Sequence, residues 1–317
     1  MPNTKFVAFG AGGVGGYFGA VLARAGYSVV FIARGAHLEA IRRSGLQIRS
    51  PKGDFNVSPS QVTDNPADVG PVDAVILGVK AWQVSEAARA MHPLVAPTTK
   101  VLPLQNGVEA ADQLQQVLGR QHTLVGLCRI ISSVTSPGTI THGGMEPTIA
   151  LGEPDGSALS ENARALVDAL HAAGVVVETP PDIHAALWEK LVFIGAFSGV
   201  GAVTRATIGE VRACPPARQL LQQLMEEVVA VANARSIQLR EDVVARTLAF
   251  VEKSMPAGGT ASMQRDIASG RPSELEEIVG AVIRLGDQRG VPTPTMDCVY
   301  ASLLPQELRA RGVLRLP

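Results

Sequence analysis

Up to about residue 182, short runs that are apolar almost throughout alternate with amphipathic ones. KFVAFG (5–10), SVVFIAR (28–34), DAVILGV (73–79), KVLPLQN (100–106), TLVGLCRI (123–130) and VVVE (175–178) read as strands. GGYFGAVLARAG (15–26), VSEAARAMH (84–92), EAADQLQQVLG (109–119) and SENARALVDALHAAG (160–174) read as the helices between them. Strands without polar alternation are covered on both faces, so this half predicts a doubly wound, largely parallel sheet of the Rossmann type. Two stretches break the pattern: residues 45–58 alternate and turn at Pro51 to Gly53, predicting a hairpin, and residues 138–152 suggest a second one.

After TPPD (179–182) the spacing of apolar residues changes to three and four. Residues 220–235, 242–255 and 274–290 all carry it, so the second half is expected to be all-helical. This gives an α/β chain with domains at 1–182 and 183–317. The long helical stripes could bury an apolar face on a second copy in a homodimer, but they fit an intrachain core, the commoner case.

Composition narrows the function more than the fold. With 46% hydrophobic and 18% charged residues, and 28 Lys plus Arg against 29 Asp plus Glu, the chain has no basic field for nucleic acid or an anionic membrane surface. Cys128, Cys214 and Cys298 are too dispersed for a disulfide framework or a zinc cluster, and the six histidines form no ligand set, so no metal is expected. The start of the chain lacks the pattern of a signal peptide, and the apolar run 191–203 is short and glycine-rich for a membrane span. A cytoplasmic protein with a small-molecule partner is expected.

Gly10, Gly12 and Gly15 form G-x-G-x-x-G, a weak pattern alone but a stronger one here, between a strand and a helix within a βαβ unit of about 30 residues. Gly10 would permit the turn, Gly12 would let the backbone approach a pyrophosphate, and Gly15 would let helix pack on strand. The helix start at Gly13 and Val14 would then aim N–H groups at the phosphates. Where an acid would hold the ribose of NAD, the second strand ends in Arg34. A guanidinium suits a 2′-phosphate, so NADP(H) is the expected cofactor.

Polar residues just beyond strand ends are the first ligand candidates in such a sheet, which nominates Lys80 and Asn106. Further on, Lys190 adjoins an apolar helix and shares a face with Ile194 and Ser198 at i+4 and i+8. Partly dehydrated, its ammonium would serve as a general acid, although a lysine that snorkels to water satisfies the same pattern. Ser273 and Glu276 read as a capping box, placing Glu274 in the first helical turn. There it would either complement the helix dipole or accept a hydrogen bond from a substrate hydroxyl. Ser262, in the preceding segment, could bind a carboxylate.

GAGGVGGYFGAVLARAG, VKAWQVSEA, LQNGVE, WEKLVF and SMQRDIASGRPSELEEIVG, taken in order, resemble the motifs of ketopantoate reductases over nearly the whole chain. The resemblance implies a Rossmann domain and a helical domain with the active site between them, and NADPH-dependent reduction of a 2-keto acid to a 2-hydroxy acid in pantothenate biosynthesis. It implies Lys190 as general acid, Asn106 holding substrate near the nicotinamide, Glu274 on the substrate hydroxyl and Ser262 on its carboxylate. Lys80 corresponds to the family's cleft lysine and Arg34 to its 2′-phosphate ligand. Many members carry two asparagines one and two turns after the lysine, where this chain has Ile194 and Ser198. Losing a hydrogen bond there costs about 0.5 to 1.5 kcal/mol, which leaves open a paralogous reductase of another 2-keto compound. A non-catalytic NADP(H)-binding regulator is the alternative from another class.

Overall fold

The computed structural model describes residues 4–314. Its chain divides into two compact units, one comprising residues up to Gln105 with Ala110–Ile183, the other Asn106–Glu109 with the residues from His184 onward.

In the first unit the strands are β1 (Lys5–Phe9), β2 (Ser28–Ile32), β3 (Leu46–Arg49), β4 (Phe55–Val57), β5 (Gln61–Thr63), β6 (Val72–Leu77), β7 (Val95–Pro103), β8 (Val125–Arg129), β9 (Ser132–Ser136), β10 (Thr139–His142), β11 (Thr148–Gly152) and β12 (Val176–Glu178). Helices α1 (Gly13–Arg24), α2 (Gly35–Ser44), α3 (Val84–Ala90), α4 (Ala110–Leu118) and α5 (Glu161–Ala172) connect them. The main sheet runs β5-β2-β1-β6-β7, parallel throughout. Its order reverses between β1 and β6, the switch point beside which ligands bind in doubly wound sheets. Its strands are apolar on both faces because both are covered. Phe6, Ala8 and Phe31 pack toward α1 and α5, while Val7, Phe9 and Val30 pack with residues of α3 and α4.

Two expectations change. The strands expected at 123–130 and 175–178 leave the main sheet and, with β11, form their own, ordered β12-β11-β8, with β11 antiparallel to β8. The segment 138–152 is no hairpin: β10 pairs antiparallel with β9, turning at Pro137–Gly138, while β11 belongs to the other sheet. The hairpin at 46–57 forms as β3–β4 and joins β10 and β9 in a four-stranded sheet. Strand β5 and helix α2 lack strong sequence signals, the one because it has three residues and the other because only Leu38 and Ile41 of its ten residues are buried.

Lys100 and Glu153 form a buried ion pair at 2.9 Å, with side chains 9% and 8% exposed. Burial pushes the Glu153 carboxyl up, but hydrogen bonds from Lys100 and Ser160 more than reverse this and hold it below the usual carboxylate range.

The second unit is helical: α6 (Ile183–Thr204), α7 (Ile208–Ala213), α8 (Pro215–Ala234), α9 (Val243–Lys253), α10 (Ser262–Ala268), a π-helical turn at Glu276–Gly280, α11 (Ala281–Asp287) and α12 (Pro294–Ala310). Gly195 and Gly199 leave space on α6 that Val228 and Leu224 of α8 and Met296 and Val299 of α12 fill. Helix α6 exceeds the apolar run read from sequence. At 22 residues and mean hydropathy 1.4 it is long and apolar enough to cross a membrane by length and composition, and 67% of its most apolar window is buried within the protein. A core helix gives the same signal.

Candidate active site

In the first unit the glycine segment closes β1 and opens α1. Gly10 has φ +89°, a conformation that favours glycine, and a Cβ there would lie 2.9 Å from the Val79 amide nitrogen. The amides of Gly10 and Ala11 both donate to the Ile32 carbonyl, at 3.1 and 2.9 Å, locking the turn onto β2. Gly15 lies against Gly78 at the end of β6; a Cβ on Gly78 would come within 2.6 Å of the Gly15 Cα. Gly78 is thus a member of the constellation that the motif alone does not reveal. Gly12, by contrast, has nothing within 4 Å of where its Cβ would stand. It is the N-cap of α1, with no side-chain cap and no acid in the first turn, so the helix start at Gly13 and Val14 suits an anion. The turn therefore fits a dinucleotide pyrophosphate: packed on the sheet side and open at Gly12.

Arg34 is the N-cap of α2 at the end of β2, two-thirds exposed, and its guanidinium lies 3.7 Å from Glu86. Lys80 follows β6 with its Nζ 5.7 Å from the centre of the Trp82 ring. Gln105, unremarked in the sequence, donates from Nε2 to the carbonyls of Leu77 and Val79 at 2.9 and 3.0 Å, fixing the backbone that leads to Lys80.

In the second unit the loop Asn106–Glu109 is held by the π-helical turn and α11. Asn106 Nδ2 donates to Glu274 Oε2 at 3.0 Å. Gly107, with φ +93°, sits so close to the turn that a Cβ would stand 2.5 Å from the Glu277 carbonyl oxygen. Val108 packs on the helical core, and Glu109 Oε2 accepts from Arg284 at 2.7 Å. Asn-Gly here makes neither a hairpin nor a loose loop; it is a docked turn.

Glu274 is buried, 7% exposed. Its neighbourhood corrects the expected capping box. Ser273 Oγ accepts from the Leu275 amide at 3.3 Å, but the reciprocal acid is Glu307 of α12, which accepts from the Ser273 amide and, at 2.6 Å, from its hydroxyl. Arg311 bridges Glu307 and the Ser273 carbonyl, at 2.6 and 2.9 Å. Glu276 instead accepts from Arg284 and, at 2.6 Å, from Tyr300. The tight turn of a capping box is not available because the helix opens into the wider π turn. Burial and the bond to Glu276 push the Tyr300 phenol up to about 12. Burial likewise pushes the Glu277 carboxyl up to about 7, with Glu274 and Glu276 nearby adding to the effect, and its Oε2 is buried without a hydrogen-bond partner. None of Glu277, Glu307, Tyr300 or Arg284 is signalled by sequence, since each acquires its role through a contact between separate elements.

Lys190, Ile194 and Ser198 lie along α6 one turn apart, Lys190 and Ile194 half-buried and Ser198 only 3% exposed. Ser262 is exposed at the first position of α10. Of the nominated residues, Asn106 and Glu274 are brought into direct hydrogen-bonded contact. Among the described residues no group of three or more His, Cys, Asp or Glu is placed to hold a metal ion.

A doubly wound parallel sheet, a glycine turn at its switch point and a helical second unit define a pyridine-nucleotide-dependent oxidoreductase. The chain belongs to the ketopantoate reductase family: residues 6–156 match the family described as Ketopantoate reductase PanE/ApbA, and residues 182–307 match its C-terminal part. It is similar to the 2-dehydropantoate 2-reductase of Mesorhizobium japonicum, 30% identical over 320 residues, covering 94% of this chain and 96% of that one. The crystal structure of a PanE/ApbA family ketopantoate reductase from Ralstonia eutropha JMP134 superimposes with a TM-score of 0.87 at 32% identity, covering 97% of this chain and all of that one. A D-mandelate dehydrogenase solved with NADH and anilino(oxo)acetate shares the fold, with a TM-score of 0.86 at 23% identity and coverage of 97% and 99%.

Proposed function

We propose that this chain reduces 2-dehydropantoate to pantoate with NADPH, as a step of pantothenate biosynthesis in the cytoplasm. The observation that carries the substrate reading is the Asn106–Glu274 pair: a buried carboxylate held by one amide donor keeps lone pairs for a substrate hydroxyl. When bound, the reduced nucleotide supplies hydride to the 2-keto carbon. The chain's own residues do the rest. The glycine turn seats the pyrophosphate, and Arg34 takes the 2′-phosphate. Lys190 gives a proton to the keto oxygen, and Ser262 donates to the carboxylate. Lys80 and Ser198 complete the polar contacts to substrate.

Ile194 favours a second reading. An apolar side chain one turn from Lys190 offers no hydrogen bond, which suits a different 2-keto acid with an apolar substituent. The test is the loss of NADPH absorbance with 2-dehydropantoate and a panel of branched, aromatic and hydroxylated 2-keto acids. Highest kcat/KM for 2-dehydropantoate supports the first reading, and a clear preference for a substrate lacking the hydroxyl supports the second. Tight NADPH binding with no turnover across the panel would make the protein a nucleotide-binding regulator.

A further inference from the structure

His37 joins two parts of the first unit that sequence does not connect. Its Nε2 lies 2.8 Å from the Ala11 carbonyl oxygen, inside the glycine turn. Its Nδ1 lies 3.0 Å from the Gly138 amide nitrogen, at the tip of the β9–β10 hairpin. A carbonyl only accepts and an amide N–H only donates, so the ring must be neutral, with its proton on Nε2. The hairpin is otherwise seated on the start of α1: a Cβ on Gly13 would stand 2.7 Å from the Ser132 carbonyl oxygen, and one on Gly16 would strike Ile140. The hairpin is thus a wall of the turn, and the imidazole is its polar link.

We infer that His37 is a positioning residue for the nucleotide turn: it holds the Ala11 carbonyl toward α2 in either protonation state but the hairpin against α1 only while neutral, so nucleotide affinity falls when it protonates. The inference rests on the reading of the glycine turn as a nucleotide site. Imidazolium has no lone pair for the Gly138 N–H, so protonation turns that hydrogen bond into a clash of donors while the Ala11 bond survives. Burial holds the His37 ring below the usual histidine range, opposed by the bond to Ala11. The link is therefore intact above the ordinary histidine pKa and lost as pH falls through the lower, folded one. Burial and the Ala11 bond are the causes of this shift, and no charged side chain among the described residues contributes to it. The glycine turn, β5 and β9 carry no ionisable side chain, and β10 brings only His142, whose nitrogens face Ser50 and the Met145 carbonyl. On α2 itself, Arg34 faces Glu86 of α3, and Glu39 accepts from Arg42.

Two substitutions separate the two bonds. In His37→Gln the amide nitrogen replaces Nε2 and keeps the donor to Ala11, without the acceptor for Gly138; His37→Asn does the reverse. The measurement is the Kd for NADPH of wild type and both variants between about pH 5 and pH 8, taken as a ratio to wild type so that titration of the nucleotide's own phosphates cancels. Near pH 8 wild type should bind about five-fold more tightly than the Gln variant, the value of one hydrogen bond. That ratio should shrink toward one in acid, where protonated His37 resembles Gln. A ratio near one at pH 8, or one that does not change with pH, overturns the inference. Amide exchange of residues 10–16 and 138 in the nucleotide-free protein supplies a second readout. At neutral pH exchange should be faster in the Gln variant than in wild type, and equal exchange overturns the inference. If wild type binds neither NADPH nor NADH, the nucleotide reading itself fails, and the exchange comparison alone then decides whether His37 holds the turn.

Discussion

Asn106 and Glu274, 168 residues apart in sequence, meet through one 3.0 Å hydrogen bond from amide to carboxylate. Because Glu274 is buried, this bond offsets part of the cost of keeping a charge away from water. Asn106→Ala leaves the carboxylate short of a donor, and hydrogen bonds to charged groups are worth about 1.5 to 3 kcal/mol. The variant should therefore melt at a lower temperature than wild type in calorimetry, and substrate KM should rise with it. An unchanged melting curve would show that water replaces the amide without loss.

Gly12 and Gly15 share a motif and should respond oppositely to the same added methyl. Gly12→Ala meets no atom within 4 Å and keeps an extended backbone, so only the N-cap preference is lost, about 1 kcal/mol. It should fold, melt within a few degrees of wild type, and lose nucleotide affinity. Gly15→Ala would strike the Gly10 carbonyl and stand 3.2 Å from the Gly78 Cα, forcing α1 off the sheet. It should lower stability as well as affinity. Paired thermal melts and nucleotide titrations check both; equal stability of the two variants would refute the assignment of distinct roles.

What sequence revealed and what it hid follow from the range of the forces involved. The glycine turn was legible because strand, turn and helix start are local and each imposes its own residue requirement. Lys190 and Glu274 were legible as candidates because helical spacing and helix ends are local too. Glu307, Gly78, Gln105 and His37 were not, since each acts on a partner brought near only by tertiary packing. The capping box misled for a related reason: Ser273 does cap, but α12 supplies the reciprocal acid, and a π turn carries Glu276 to Arg284 and Tyr300. The hairpin error at 138–152 arose because β10 and β11 are adjacent in sequence yet belong to different sheets.

On the proposed function, Arg34 is the residue that tells the two nicotinamide nucleotides apart. Exposed and only loosely paired with Glu86, it can swing to a 2′-phosphate at little cost. Arg34→Ala should weaken NADPH by about 10- to 100-fold, as expected for loss of a charge-assisted contact, and leave NADH nearly unchanged. Fluorescence titration of both nucleotides checks this. Equal losses would mean that Arg34 supports the fold and does not read the phosphate.

Lys190 lies on α6 among residues that hold the helical core, so its removal could act through folding or through chemistry. Lys190→Ala should lower kcat by about 10²- to 10⁴-fold, the range for loss of an acid catalyst, with NADPH Kd and melting temperature near wild type. Lys190→Arg, which keeps the charge but gives up its proton far less readily, should be nearly as slow. A fast Arg variant would reassign the residue to electrostatic binding alone.

Glu277 gives the protein a stability term with an unusual sign. Its carboxyl is pushed from the ordinary 4.5 up to about 7, chiefly by burial, and its Oε2 has no hydrogen-bond partner. In the unfolded chain the group ionises from about pH 4.5 upward, whereas in the folded protein it keeps its proton to about 7. Between these values the folded state binds more protons, so the contribution of Glu277 is fully present below the unfolded value and is lost as pH rises through the folded one. Glu277→Gln removes the titration while keeping the shape of the protonated acid. The melting temperature of the variant relative to wild type should therefore climb steadily from about pH 4.5 to about 7 and level off above it. A difference that stays constant across that window would show that Glu277 ionises in the folded protein as it does in the unfolded chain, with water reaching its carboxyl.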